Sequence, residues 1–322
     1  MSEIEVSEVR LRRDRDAFIK FQWRIYKNDH AWVPPLIIER KAFLNRKRHP
    51  FYKHGDAALF LARQNGEIVG RIMASDDPNY NSLHQSNVGC FGLFECVDNP
   101  NVATALFQAA AGWLRKKDRT EMMGPIDYST NYVCGLLIDG FQFAPTILTA
   151  HNPPYYRELI ESSGFAKAKD WYAWWFADPA KAATRLRPLA ERFRKRWPVT
   201  IRAGNLKNVR EESRRLRQIY NQAWENGRLT TFGLPIGLAK LLYYKGRTRT
   251  ARLIALGVIE KYRRSGIAEM LVLRIVEDAM IKRGFTGELS MTLEDNFRIN
   301  RFLEAIGAER YKTYRIFKRT LT

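Results

Sequence analysis

One pattern occurs twice in this sequence. Residues 92–106, GLFECVDNPNVATAL, align without a gap on residues 257–271, GVIEKYRRSGIAEML. Two later segments, 152–174 and 296–316, also correspond, because each contains an asparagine, a helical pattern, a glycine and an alternating strand with aromatic residues. A pattern that recurs in the same order within one chain predicts a duplicated fold, and 322 residues suffice for two ordinary domains.

The segments between these landmarks alternate between strand and helix, which predicts the α/β class for both halves. In the first half, two apolar strands flank Asn65 and Gly66, a pair typical of a tight hairpin turn, and residues 102–117 have the spacing of an amphipathic helix. The second half is expected to begin with a strand and a helix at 208–225. Strands and helices then alternate at 252–259, 266–283, 287–293 and 296–306, and a final alternating strand follows.

The two halves are joined by a basic segment. Residues 179–197 have helical spacing, contain Pro188 and are rich in arginine, so we expect a basic connector helix that the proline starts or interrupts. The predicted boundaries are therefore a first domain over 1–178, this connector, and a second domain over 198–322.

The turn before helix 266–283 has the composition of an anion site. The first N–H groups of a helix have no partners within the helix, and the helix dipole favours negative charge there. Gly266 allows a bulky phosphate to approach the backbone, and Arg263 and Arg264 add positive charge. The sequence therefore predicts a pyrophosphate site at this turn.

The corresponding turn of the first half has lost these properties. Its aligned residues include Asp98, Pro100 and Asn101. Aspartate repels an anion, proline removes a donor, and asparagine adds a side chain where the second half has glycine. We expect the first half to bind no pyrophosphate.

The second half resembles the GCN5-related N-acetyltransferases (GNATs). Their acetyl-CoA signature, Arg/Gln-x-x-Gly-x-Gly/Ala, is matched by Arg263, Gly266 and Ala268, and their later motif, asparagine followed by glycine, by Asn296 and Gly307. The first half follows the same element order as a degenerate copy. Through GPIDYSTNY, GFQFAP and HNPPYYRELIESSGF, the whole chain also resembles the bacterial YghO-like proteins, which are tandem GNATs.

This resemblance implies two tandem GNAT-like domains and a coenzyme, acetyl-CoA or another acyl-CoA. The two strands at 252–259 and 287–293 would separate to admit the pantetheine arm. Residues on the first strand would bind the arm, and residues at the turn and the later motif would hold the phosphates. The implied cofactor-binding residues are Leu256, Val258, Arg263, Arg264, Gly266, Ile267, Ala268 and Asn296.

An amine acceptor would attack the thioester directly, which requires a base and an acid. On strand 287–293, alternation places Glu288 and Glu294 on one face, and Glu294, near the strand end, is the candidate base. Where the family often has a tyrosine acid, this chain has Leu303, so Tyr311 or Tyr314 would replace it. We take Tyr314 as the candidate, although alternating aromatic residues on a final strand are also typical of core packing.

The second half departs from the family pattern in length. YghO-like proteins contain a further helix and a strand pair where this chain passes from Asn226 to Gly227. The loss would leave strand 252–259 with an open edge, which offers a site for a second copy of the chain or marks a damaged domain.

Composition limits the remaining choices. A net charge of +20 favours an anionic partner, such as a cofactor, nucleic acid or a lipid surface. The odd number of cysteines, the absence of metal-ligand spacing and the lack of a long apolar run predict a cytoplasmic protein without disulfides, metal or membrane span.

Three functions therefore remain open. The first is an acyl-CoA-dependent N-acetyltransferase acting on a small-molecule or peptide amine, with acceptor contacts from the first-half segment 124–156, where Tyr128, Asn131 and Tyr155 are the candidates. The second is a transferase that uses aminoacyl-tRNA or another RNA, and the third is a GNAT-fold binding protein without catalysis.

Overall fold

The structure is a computed structural model that describes residues 3–197, 199–223, 250–253, 256–262 and 265–321. The chain forms two compact units. The first comprises Met1–Trp171 together with Lys312–Thr322, and the second comprises Tyr172–Tyr311.

The first unit contains most of the helices and strands of the N-terminal half. In chain order they are β1 (Ile4–Glu8), α1 (Arg12–Lys20), α2 (Gln22–Ile25), α3 (Ile37–Phe43), β2 (Asp56–Gln64), β3 (Glu67–Asp76), α4 (Pro78–His84), β4 (Val88–Cys96), α5 (Pro100–Arg115), β5 (Glu121–Gly124), β6 (Leu136–Asp139), α6 (Tyr156–Ser162) and the start of β7 (Ala166–Phe176). A 3-10 turn at Pro50–Lys53 precedes β2.

The second unit begins within β7. Its further elements are α7 (Pro179–Arg196), α8 (Val209–Ala223), β8 (Thr250–Leu253), α9 (Ile267–Ile275), a π-helical turn (Val276–Ile281), β9 (Thr286–Leu293), α10 (Phe297–Ala305) and the start of β10 (Ala308–Thr320). Two 3-10 turns lie at Leu206–Asn208 and Glu260–Tyr262. The prediction of an α/β class is confirmed. In the described residues, no helix has the length and apolar character needed to cross a membrane.

The sheet of the first unit has the strand order β1-β2-β3-β4-β5-β10, and β6 also pairs with β10. Neighbouring strands are antiparallel except β4 and β5, which run parallel. The predicted hairpin is confirmed: β2 and β3 meet at Asn65 and Gly66, whose φ angles of 54° and 80° give the left-handed turn expected from this pair.

Helix α5 supplies the core of the first unit. It begins at Pro100, a residue suited to the first helical position, after Asn99 caps the backbone N–H of Asn101 at 3.0 Å. Along one face, Val102, Leu106 and other apolar residues are fully buried in the main hydrophobic cluster. This agrees with the amphipathic pattern predicted for 102–117.

The predicted domain boundaries differ from the observed units in two places. Residues 312–322 belong to the first unit because the C-terminal part of β10 pairs with β5, through Phe317–Gly124 to Thr320–Glu121. Helix α7 is part of the second unit, because its small apolar face, which includes Ala183 and Leu186, is buried in the core of that unit. The basic residues face outward, which explains why this segment has the composition of a connector.

Candidate functional site

Two parallel strands of the second unit provide the frame of the candidate site. β8 pairs with β9 in parallel from Thr250–Thr286 to Leu253–Leu289. β9 continues to Leu293, whereas residues 256–259 form no strand, so the predicted strand 252–259 is shorter than expected. Among the described residues, β8 is also the last strand in the order, which leaves its outer edge open there.

Helix α9 begins at the position that the sequence indicated. Gly266 is the N-cap residue with φ of +78°, a conformation that favours glycine, and no side chain among the described residues caps the first turn of this helix. Ser265 is buried and its hydroxyl donates to the Tyr262 carbonyl at 2.6 Å. Within the described part of the chain, the first N–H groups of α9 therefore have no side-chain acceptor.

A side chain of the same unit contacts this turn. A Cβ built on Gly266 would collide with the aromatic ring of Phe193 from α7. Phe193 is half-buried and packs on the core of the second unit. Glycine is thus required at position 266 for two reasons, the positive φ and the close approach of this ring.

An apolar cavity of about 250 Å³ lies beside the paired ends of β8 and β9. The strands contribute Ala251, Leu253, Gly287 and Leu289 to its wall. The rest of the lining comes from β7, α9 and the π-helical turn, namely Phe176, Val272, Ile275, Val276, Ala279 and Met280, and Arg252 and Glu288 complete it. Its surface is almost wholly hydrophobic, which suits a hydrocarbon group.

A buried ion pair fixes the same strand ends. Arg252 Nε lies 2.7 Å from Glu288 Oε1, and both side chains are at most 5% exposed. Tyr311 donates a hydrogen bond to the other oxygen of Glu288. Since a buried charge is stable only when paired, these contacts give Glu288 a structural role in holding β8 to β9.

The predicted cofactor residues occupy the following positions. Leu256 and Val258 are half-buried in the segment between β8 and the 3-10 turn, and Ile267 and Ala268 form the first turn of α9. Arg263 and Arg264 lie outside the described residues. Asn296 caps α10, where its side-chain oxygen accepts from the Ile299 N–H at 3.4 Å.

The predicted catalytic pair is divided between the units. Glu294 is half-buried in the turn after β9, and its carbonyl accepts from Asn300 Nδ2 at 3.3 Å. Tyr314 belongs to the first unit, where it is fully buried. Sequence reasoning did not find Asn300, which also accepts from the Thr292 hydroxyl at 2.6 Å and ties α10 to the end of β9.

The candidate acceptor residues of the first unit also differ from one another. Tyr128 is 1% exposed, and its hydroxyl lies 3.1 Å from that of Tyr52 within an aromatic cluster, so it packs in the core. Tyr155 is half-buried and donates to the Cys96 carbonyl at 2.8 Å. Of the three, only Asn131 is exposed.

In the first unit, the chain's own residues close the gap between β4 and β5, the strand pair that corresponds to β8 and β9. β4 and β5 pair in parallel over Val88–Cys90, and beyond that point Asp127 Oδ1 accepts from the Leu93 N–H at 2.9 Å. Ile126 N–H also donates to the Phe91 carbonyl at 2.7 Å. These bonds join the two strands where the pair would otherwise open.

Comparisons with known proteins agree with this geometry. Residues 168–308 match the model of the acetyltransferase (GNAT) family. The chain is 31% identical to protein YghO of Escherichia coli (strain K12), over 96% of this chain and 94% of that protein. It is 29% identical to a bacterial ceramide synthase of Caulobacter vibrioides, over 99% of this chain and 98% of that protein.

Solved structures show the same fold. A tandem GNAT protein from the clavulanic acid biosynthesis pathway matches with a TM-score of 0.56 at 13% identity, over 99% of each chain. A GCN5-related N-acetyltransferase from Sphaerobacter thermophilus matches with a TM-score of 0.53 at 12% identity, over 99% of this chain and 96% of the other.

The curated relatives are longer. The YghO alignment extends over 368 positions and this chain has 322 residues, so at least 46 positions of that alignment (368 less 322) have no counterpart here. The predicted gap between Asn226 and Gly227 lies outside the described residues.

Since YghO is 31% identical across almost the full length and the family model matches the second unit, the chain belongs to the GNAT acetyltransferase family.

Proposed function

We propose that this chain is an acyl-CoA-dependent N-acyltransferase whose second unit binds the coenzyme and carries out the transfer. The observation that carries the proposal is the first turn of α9, where Gly266 has a positive φ and no side chain caps the helix. In a GNAT fold, this is the turn expected to receive a pyrophosphate.

The phosphate end of the site depends on charge and on free donors. The N–H groups of Ile267 and Ala268 lie in the first turn of α9, and the helix dipole adds attraction for an anion. In sequence, Arg263 and Arg264 directly precede this turn. Because guanidinium groups stay protonated, their attraction for phosphate is constant over the physiological pH range.

The other end of the site depends on the apolar cavity. Bound acyl-CoA supplies the acyl group as an activated thioester. A cavity of about 250 Å³ lies beside the last paired residues, Leu253 and Leu289. An apolar cavity of about 150 Å³ binds benzene, so this volume would hold roughly ten carbon atoms. We therefore propose an acyl group longer than acetyl.

Transfer to an amine needs a proton acceptor near the end of β9. Glu294 remains the proposed base, because it lies in the turn after that strand and is only partly buried. Glu288 is instead held in the buried ion pair with Arg252. The relative named a bacterial ceramide synthase fits N-acylation, since a ceramide is an amide of an amino alcohol. For this chain we propose an amine acceptor.

Isothermal calorimetry with octanoyl-CoA and with CoA tests coenzyme binding. We expect micromolar affinity for wild type and a loss of at least tenfold for Arg264→Glu, which reverses a charge beside the turn. The matched control is Arg283→Glu, an exposed arginine beyond the other end of the same helical segment, which should bind as wild type does. Folded protein that gives no heat with either ligand would refute the proposal.

The chain-length proposal has its own test. Each methylene that enters the cavity should raise affinity roughly fourfold, so octanoyl-CoA should bind at least tenfold more tightly than acetyl-CoA. Ala279→Leu partly fills the cavity and should reduce that ratio while CoA itself still binds. Equal affinities for the two thioesters would assign the cavity no role in acyl selection.

A further inference from the structure

Aliphatic side chains are exposed together on one loop of the first unit. Residues 33–38, which we call the apolar loop, include Val33 at 57%, Leu36 at 55% and Ile38 at 76% exposure. Single exposed aliphatic residues are ordinary, but a contiguous exposed apolar patch marks an interaction surface.

The exposure of this loop is built into the fold. The last two residues of this segment, Ile37 and Ile38, are the first turn of helix α3 and point to solvent, while the other end of α3 places Phe43 in the buried core, with Leu44 beside it. The Phe43 ring packs 4.9 Å from that of Tyr128. The C-terminal end of α3 is therefore packed in the core, and its N-terminal end exposes two isoleucines.

Contacts of Tyr26 connect the apolar loop to a second exposed apolar segment. Residues 143–148 expose Ile147 at 68% and also Phe143 and Leu148. The Tyr26 ring stacks on Trp32 at 4.9 Å, and the Tyr26 hydroxyl donates to the His151 carbonyl at 3.0 Å. Since Trp32 directly precedes the apolar loop and His151 closely follows Leu148, the start of the first segment and the end of the second both adjoin residues that contact Tyr26.

Basic residues accompany the apolar loop. Lys47 and Arg48 are exposed just after α3, and Arg12 and Arg13 are exposed at the start of α1. Helices α1 and α3 are joined by an ion pair, Lys41 with Asp16 at 3.0 Å, so these cations lie on connected elements. The surface combines aliphatic tips with positive charge in a chain of net charge +20.

We propose that this surface docks on an anionic lipid bilayer. The aliphatic tips of 33–38 and 143–148 enter the boundary between headgroups and acyl chains, and the flanking cations meet lipid phosphates. The attachment is peripheral and weakens with salt, because part of it is electrostatic. It is separate from the coenzyme binding that we propose for the second unit.

Two other occupants fit less well. RNA is bound through phosphate contacts and aromatic stacking, to which exposed isoleucine and valine contribute nothing. A second copy of the chain would bring the cations around Lys47 against the same cations, which repel one another. An anionic bilayer offers favourable interactions to both the aliphatic and the basic parts of the surface.

Sedimentation of the full chain with vesicles tests this proposal. The vesicles contain phosphatidylcholine and phosphatidylglycerol in equal parts, and pure phosphatidylcholine vesicles serve as the neutral arm. We expect binding to the anionic vesicles that falls as salt rises, and a loss of roughly tenfold or more for Ile38→Asp and for Ile147→Asp. Lys47→Gln, which removes one positive charge, should lower binding roughly fivefold.

The matched control is Leu83→Asp, which introduces the same charge at another exposed aliphatic residue of the first unit, on α4. It should bind within twofold of wild type. An equal loss in Leu83→Asp, or no binding to anionic vesicles, overturns the proposal. So does binding to tRNA that exceeds vesicle binding and survives Ile38→Asp, or a dimer without vesicles that Ile38→Asp dissociates.

Discussion

The same strand–turn–helix pattern has a capped helix start in the first unit and a helix start without a side-chain cap from the described residues in the second. In the first, Asn99 caps α5 and Asp127 bonds across the strand pair β4–β5, so the chain's own side chains satisfy the cleft. In the second, α9 begins at Gly266 without a side-chain cap, and an apolar cavity lies beside β8 and β9. In a duplicated fold, one copy can thus fill its cleft with its own side chains and become structural, while the other keeps a helix start without a cap from the described residues and a cavity beside its strands.

The aligned glutamates illustrate this difference. Glu95 is buried in the first unit, where it accepts hydrogen bonds from the Tyr156 and Tyr26 hydroxyls at 2.8 and 2.9 Å and pairs with the buried guanidinium of Arg71. Burial raises the pKa of Glu95. Glu260, its counterpart, is exposed in a 3-10 turn of the second unit.

The largest predicted effect separates these two glutamates. Glu95→Ala leaves Arg71, which is 2% exposed, as a buried charge without its carboxylate, and should lower the free energy of unfolding by about 3–5 kcal/mol. Glu260→Ala should change it by no more than about 0.5 kcal/mol. Urea unfolding of both variants measures the contrast, and similar losses at the two positions would contradict the structural assignment of the first unit.

The next prediction concerns Asp127. Burial raises the pKa of Asp127 to about 6, above its ordinary 3.8. The folded state therefore binds this proton more tightly than the unfolded state, so the stabilisation is complete below about pH 4 and is lost as the pH rises through about 6. The loss amounts to about 3 kcal/mol by pH 7.

Asp127→Asn removes this titration. The free energy of unfolding of the variant relative to wild type should rise by about 3 kcal/mol between about pH 4 and pH 7, as measured by urea unfolding at several pH values. A difference that does not change with pH for Asp127→Asn would mean that its carboxyl is not buried across the strands.

Local patterns made much of this architecture predictable. The Asn65–Gly66 hairpin and the starts of α5 and α9 follow from residues adjacent in sequence, because turns and caps depend on a few φ angles and short hydrogen bonds. The repeat then supplied the correspondence between units, and the Gly266 turn of the candidate site was predicted for the same reason.

The rest depends on contacts between distant residues. The partners of Glu95 include Gln22 and Tyr156, which lie far from it in sequence, and no periodicity signals their approach. The contact of Phe193 with Gly266 also joins residues that are distant in sequence. So does the packing of the end of β10 in the first unit. The connector interpretation of helix α7 rested on its basic composition, whereas the packing of its alanine face depends on residues distant in sequence.

The smallest predicted effect concerns the two helix starts. Asn99→Ala removes the side-chain cap of α5 and should cost about 1 kcal/mol of unfolding free energy, whereas Asn99→Gly should cost only about a few tenths. Neither variant should alter the rise in melting temperature that octanoyl-CoA produces, because we propose that the coenzyme binds the second unit, while Arg264→Glu should abolish that rise. A coenzyme-induced shift that disappears in Asn99→Ala would place a ligand at the start of α5 and remove the distinction between a filled copy and an open one.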